Sequence, residues 1–404
     1  PEGGEEDEDG EEPGAFVPIA DHQPGFVLPR RQDLPEEAFL SVDQIRSIGD
    51  FRGVLPILAV SYGWLTKEHP DPKGEQVRAV AKAAMLSFVR QGKANGQIFD
   101  AGYFSMAGFT DMGVFWDWAS LHQKDPALFD PQETPEAKLE GPARQEFIAD
   151  LQAKRRFFGG AAYEQSRTAE QQASFRRALH DTMDLWYSHA GITKFLLTEL
   201  PASAPAGVLT YDEKGWTFFE QSSAQLCTPT KAAGGRGWPM VVDVGAGLDA
   251  GGATRGPPLL PAGFNAQIKQ RKFTNGADME VVSALYRQTV DNVLGNTEEL
   301  DWEGMDLSDG ARIARVRALL QANYPIRRLN LRGCRINDEG AKALAEGLRD
   351  NTALVLLGLE NNQIGDEGKA ALKQLARIAS CTSQTKEQKP PRLLSVWHGT
   401  WLAL

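Results

Sequence analysis

Cysteine is scarce in this chain: Cys227, Cys334 and Cys381 are the whole complement of its 404 residues. An odd number at wide spacing excludes both a disulfide framework and a zinc site built on paired cysteines, and points to a reducing, cytoplasmic setting. Histidine is nearly as thin. The six are scattered, with His180 and His189 nine apart and His69 in a proline-rich loop, so no metal site is expected. No apolar run approaches the roughly 20 residues that cross a bilayer, and the acidic start is the reverse of a secretion signal's basic one, so no membrane contact is expected. A G-x-x-x-x-G-K-[ST] loop is also missing, which removes an internal ATPase switch. Nor is there a basic excess. The formal charge is −11, and the first twelve residues alone carry eight acids and no base. The remainder is close to neutral, which argues against a nucleic-acid surface. A start at Pro1 rather than Met is what a fragment or a processed form would show.

What is present is enough apolar material for two or three domains: 42% hydrophobic residues and nine Trp. Residues 1–35 mix acids, Gly and Pro and are expected to be a disordered acidic lead. Residues 50–245 then alternate strand and helix patterns. The run Val54–Val60 reads as a strand buried on both faces, ending in Ser61-Tyr62-Gly63-Trp64, and Val77, Val80, Ala81, Ala84 and Phe88 follow at helical spacing. A second strand, Met112–Trp116, runs into Asp117, and an acid at the carboxyl end of a parallel strand stands where ligands of α/β sheets bind. A long insertion after Gln123, a helical stripe through Phe175, Leu179, Met183 and Trp186, and strands at Ile192–Leu197 and Pro239–Val244 complete the alternation. The pattern predicts an α/β unit with a mostly parallel sheet and helices on both faces.

Within it, Thr210–Gln221 places Trp216 and Glu220 one helical turn apart on a helix starting near Tyr211, so a carboxylate and a large ring share a face. One reading makes Glu220 a carboxylate facing a cleft. The other makes Trp216 and Phe219 core and Glu220 a solvated neighbour. Asp117 can equally cap a helix, and Tyr62 and Trp64 can be packing at the core's edge.

Residues 246–300 read as a Gly/Pro linker with a connector helix carrying Val281, Val282, Leu285, Tyr286 and Val293. Residues 301–380 hold an internal repeat. Leu329-Asn330-Leu331-Arg332-Gly333-Cys334-Arg335-Ile336 is echoed 28 positions later by Leu357-Gly358-Leu359-Glu360-Asn361-Asn362-Gln363-Ile364, and Asp309–Leu320 matches the helical half of an earlier unit. This is the leucine-rich-repeat pattern and resembles the ribonuclease-inhibitor type, which implies a protein partner. The tail, 381–404, ends in Trp397 and Trp401, which are free to dock.

Four stretches in order resemble the heterokaryon-incompatibility (HET) domain, a relative of the TIR domain: Ser61-Tyr62-Gly63-Trp64, Asp117 with Gln123, Met183–Ala190, and Gly215-Trp216-Thr217-Phe218-Phe219-Glu220. Lys214 stands where that family has Arg, and Ser120 and His122 replace its Cys and Asn. The resemblance implies a TIR/flavodoxin-like fold and an immunity-like signalling role, with possible self-association. TIR domains that cleave NAD carry Trp-x-x-x-Glu. By that likeness Glu220 would be the catalytic carboxylate and Ser61, Tyr62, Trp64, Asp117 and Trp216 would line the pocket, with NAD as substrate and no cofactor. The competing expectation is a non-catalytic assembly module on the same fold. A third and more distant expectation is a methyltransferase using the Gly-rich Val241–Gly251 stretch, against which Gly256-Pro257-Pro258 intervenes and no helical pattern follows.

Overall fold

The structure is a computed structural model that describes residues 26–48, 57–89, 113–128, 160–226, 241–244, 255–382 and 393–403, a few single positions excepted, with short pieces of 92–99 and 140–149.

Strand β1 (Ile57–Tyr62) is buried at all six positions. Alternation sends Ile57, Ala59 and Ser61 to one face and Leu58, Val60 and Tyr62 to the other. The core divides accordingly. Ile57 and Ala59 join Tyr187, Phe218 and Phe219, whereas Leu58, Val60 and Tyr62 join Val80, Ala83, Trp116 and Trp118. Burial on both sides is the condition of a strand inside a parallel sheet. β1 pairs in parallel with β2 (Gly113–Phe115) on one side and β3 (Thr193–Leu197) on the other, and β3 pairs with β4 (Val241–Val244). The spatial order among described strands is β2-β1-β3-β4, so the chain reverses direction of travel at β1. Helix α1 (Glu75–Val89) contributes Val80 and Ala83 to one face, and helices α2 (Met183–Ser188) and α3 (Gly215–Leu226) supply Tyr187, Phe218 and Phe219 to the other.

The connector is not a loose linker. Helices α4 (Pro261–Ile268) and α5 (Asp278–Gly295) bury Phe264, Ile268, Val282, Tyr286 and Val290 in the same cluster as Phe218 and Phe219. Phe264 stacks on Phe218 at 5.1 Å and on Tyr286 at 3.9 Å. That cluster continues without a break into Val316, Leu329 and Leu344 of the repeats, so one core joins sheet, connector and repeats.

The repeat region has parallel strands β5 (Glu299–Asp301), β6 (Arg328–Asn330) and β7 (Leu356–Gly358), each followed by a helix: α6 (Gly310–Ala322), α7 (Asp338–Leu348) and α8 (Asp366–Thr382). The earliest unit therefore has a strand as well as the helix read from sequence. Its Leu300-x-Trp302-x-x-Met305-x-Leu307 follows the repeat with Trp and Met in place of Leu and Asn, and Trp302, Met305 and Leu307 are buried. The tail docks on the last repeat. Leu393–Trp397 adds to β7 in parallel, and Thr400–Ala403 folds back on it antiparallel, closing that side of the sheet. The lead also differs from expectation, since residues 26–35 lie on the α/β unit, with a short turn at Arg31–Asp33. The remainder of the lead and the Gly245–Gly251 stretch fall outside the described residues. No described helix is long and apolar enough to cross a membrane.

Candidate functional site

Helix α3 starts as its sequence directs. Thr210 and Glu213 form a capping box around the turn Tyr211–Glu213, and the α-helix runs from Gly215. Nearly every residue of the Gly-Trp-Thr-Phe-Phe-Glu stretch then meets a fixed partner. Gly215 has the ring of Phe273 where a side chain would stand, and its N–H donates to the Lys272 carbonyl at 2.9 Å. Any Cβ there would drive into a rigid ring, which is why the position is glycine. The Trp216 indole N–H donates to Asp278 Oδ2 at 3.0 Å, and the Thr217 hydroxyl donates to the Tyr211 carbonyl. Phe218 stacks on Phe264, and Phe219 meets Tyr286 edge-on at 6.5 Å.

Glu220 is the exception in direction, because it turns to the sheet. Ser61 Oγ donates to Glu220 Oε2 at 2.5 Å and lies 2.5 Å from the Tyr211 hydroxyl. Tyr187, on α2, completes the group: its hydroxyl donates to the Val60 carbonyl at 3.0 Å and also interacts with Glu220. Glu220 is 7% exposed and Ser61 fully buried, so Glu220 is no solvated neighbour. Burial holds its carboxyl well above the ordinary carboxylate range, with a further upward push from Asp117, against the opposing bonds from Ser61 and Tyr187. Burial likewise raises the phenols of Tyr187 and Tyr211 and keeps them as neutral hydroxyls.

Tyr62, Trp64 and Asp117 gather separately. Asp117 accepts from the Tyr62 hydroxyl, from Trp64 Nε1 at 3.4 Å and from the Trp118 N–H at 2.6 Å, so as the first residue of a short helix it holds one free N–H of that helix while binding two rings. Burial raises its carboxyl, and these three donors pull the other way. Lys214 Nζ donates to the Trp64 carbonyl at 2.7 Å and is lowered by burial to about 8.

The six sequence-derived residues thus fall into three places. Ser61 and Glu220 share one face of β1. Tyr62, Trp64 and Asp117 share the other side. Trp216 faces the connector. The reason is the pleat: Ser61 and Tyr62 are consecutive on a strand and cannot point into one hollow. Sequence reasoning missed Tyr187, Tyr211 and Lys214 as members of these groups, although each lies within a stretch already singled out. The pattern that finds them is a polar atom on an otherwise apolar inward face. Chemically, the Glu220 group can hold a proton among three hydroxyls, and the Asp117 group can fix two aromatic rings at the carboxyl edge of the sheet. Among the described residues no group of three or more His, Cys, Asp or Glu is arranged to hold a metal.

A cleft of about 1050 Å³ lies elsewhere, between α2 and the strand face of the repeats, with Asp184, Leu185, Arg328, Asn330, Arg332 and Asn361 among its walls. The repeats behind it are stitched by their signature residues. Asn362 accepts from the Ile336 N–H at 3.0 Å and donates to the Leu331 and Leu359 carbonyls, and the Cys334 thiol donates to the Trp302 carbonyl at 3.1 Å. Residues 323–345, spanning β6 and most of α7, match the family model described as a leucine-rich repeat.

Proposed function

We propose that this chain is an interaction protein in which a HET/TIR-like α/β unit is joined rigidly to leucine-rich repeats that take a protein partner, with no catalytic step required. The observation that carries this is the use made of Gly215–Glu220. Its glycine, indole and phenyl groups bind the connector, and its carboxyl group is buried against Ser61. A stretch committed in this way transmits position between sheet and repeats. The repeat match supports a protein-binding role, since stacked repeats present an extended strand face. The strand order β2-β1-β3-β4 agrees with a flavodoxin-like arrangement, in which ligands meet the sheet beside β1. To test the partner reading, a photo-reactive amino acid is placed at Asn361 on the strand face, or at Lys342 on a helix, and adducts are collected from cells. Adducts specific to position 361 are expected; adducts only from position 342 would move the binding surface to the helices.

A second reading, NAD cleavage by Glu220, is favoured by one observation: the buried carboxyl lies beside Ser61 at the carboxyl end of β1. In that reading the carboxylate stabilises an oxocarbenium-like transition state as the nicotinamide bond breaks. The protein at high concentration, incubated with NAD, would release nicotinamide, and Glu220→Gln would not. Equal or absent release in both leaves the assembly reading standing.

A further inference from the structure

Residues 26–33 lie across the carboxyl edge of the α/β sheet in a manner that resembles a bound peptide more than a leading segment. The Leu28 carbonyl accepts from two rings at once, Trp118 Nε1 at 2.9 Å and His69 Nε2 at 3.1 Å. Leu28 packs against the Tyr62/Trp116/Trp118 core cluster. Two residues on, Arg30 pairs with Asp125 at 2.9 Å. Two further on, the Gln32 side chain bonds the Gln123 backbone in both directions, donating to its carbonyl at 2.6 Å and accepting from its N–H at 3.2 Å. The receiving surface is a row of rings: Trp64 and His69 each meet Trp118 edge-on, at 5.3 and 4.8 Å.

The backbone of the segment suits this surface. Pro29 fixes its own φ and biases Leu28 to extended backbone, and Arg30 sits at φ −67, ψ 159, the polyproline-II region. Leu28–Arg30 is extended, which leaves the Leu28 carbonyl to ring N–H donors on an aromatic floor, and the segment then closes in a 3-10 turn over Arg31–Asp33, where the Asp33 N–H bonds the Arg30 carbonyl at 3.0 Å. None of residues 26–33 is buried, and the segment belongs to no sheet. Its hold is therefore a few separate contacts, which a competing chain can replace one by one.

We propose that the Trp64–His69–Trp118 surface is a docking groove for peptides of the form apolar-Pro-Arg-x-Gln, extended through the Pro-Arg step and turned at the Gln, and that Leu28–Gln32 fills it as an internal ligand. The groove's partner is then an extended, proline-containing segment with an arginine directly after the proline, and binding requires displacement of the internal copy. This stands independently of any chemistry at Glu220.

The test uses the full chain and a labelled peptide of residues 26–33, Phe-Val-Leu-Pro-Arg-Arg-Gln-Asp. In the parent the groove is filled and the peptide binds weakly. In Leu28→Asp, or in Arg30→Ala with Gln32→Ala where the first variant folds poorly, the internal copy is weakened and affinity rises at least tenfold. Adding Asp125→Lys to either variant abolishes the gain, and a peptide carrying Gly at the Pro29 position binds at least fivefold more weakly. An unchanged affinity on releasing the internal copy, or a gain that survives Asp125→Lys, overturns the proposal.

Discussion

Ser61 and Tyr62 are neighbours on β1, yet their hydroxyls serve opposite faces of the sheet: Ser61 donates to Glu220 at 2.5 Å, and Tyr62 donates to Asp117. Two carboxyl groups that sequence alone would gather into one pocket are therefore held on either side of a single strand. They still sense each other, because each lies in a poorly screened interior and the charge of Asp117 pushes Glu220 upward.

The first prediction concerns Glu220 as a structural acid. Glu220→Ala deprives the Ser61 hydroxyl of its acceptor and leaves a cavity, which costs about 2–4 kcal/mol in urea unfolding. Glu220→Gln keeps an acceptor and costs under about 1.5 kcal/mol. The pH dependence has a definite sign. A carboxyl whose folded pKa is raised binds its proton more tightly folded than unfolded, so its stabilisation is full at acid pH and is lost as pH rises from the ordinary carboxylate range through the raised value. The melting temperature of the parent relative to Glu220→Gln should fall as pH rises above the ordinary carboxylate range. A difference that is flat or rises with pH would show that Glu220 is ionised where it stands.

The second concerns the seam. Trp216 Nε1 donates to Asp278, whose carboxyl is raised by burial and lowered by that bond. Trp216→Phe keeps most of the ring but leaves Asp278 without the indole donor, and should cost about 1–2 kcal/mol. Asp278→Asn keeps an acceptor and removes a partly buried charge, so it should be nearly neutral at pH 7. If both variants cost the same, the ring's packing and not the hydrogen bond holds the seam.

The repeat region is largely legible in the sequence because its signature encodes its own packing. Leu329, Leu331, Cys334 and Ile336 are spaced to point inward, and all four are fully buried. The unit that precedes them is half hidden, since Trp302 and Met305 replace the expected Leu and Asn while filling the same inward positions. In the α/β unit, β1 is legible from its apolar run, and the helix around Trp216 from its capping residues. What the helical spacing of Trp216 and Glu220 does not reveal is the third dimension. Both lie along one side of α3, but the connector and the sheet meet that side from different directions, so the ring goes to Asp278 and the carboxyl to Ser61. The connector itself is opaque because its contacts, Phe264 with Phe218 and Phe273 with Gly215, join residues about 50 positions apart with no repeating pattern to announce them.

Asn362 supplies a third prediction. One side chain serves the Ile336 N–H and the Leu331 and Leu359 carbonyls, three backbone groups that would otherwise be left inside the turn of the repeat. Asn362→Ala should cost about 2–3 kcal/mol, and Asn362→Asp nearly as much, because a carboxylate can accept from Ile336 but cannot donate to the two carbonyls. Amide exchange at Ile336 should accelerate in Asn362→Ala and stay slow in Asn362→Asp. Slow exchange at that amide in the alanine variant would mean that the ladder closes without the side chain.

The last prediction turns on the tight fit of Gly63 against Lys214. A methyl at Gly63 would stand 2.6 Å from Lys214 Nζ, the mobile end of a long side chain, so the lysine must withdraw and surrender its 2.7 Å bond to the Trp64 carbonyl. Gly63→Ala should therefore destabilise by about 1–2 kcal/mol in the parent and by clearly less in a Lys214→Ala background, giving a coupling of about 0.5–1.5 kcal/mol in a double-mutant cycle. Titration offers an independent check on the same contact. The ammonium is lowered by burial to about 8 from an ordinary value near 10.5, so the folded chain holds fewer protons than the unfolded one between those limits, and stability gains from this group as pH rises through that window. Gly63→Ala, by moving the amine outward, should flatten that gain, as Lys214→Ala removes it. Additive costs together with an unchanged pH slope would place the strain of the added methyl in the backbone of the Ser61–Trp64 loop instead of in the lysine.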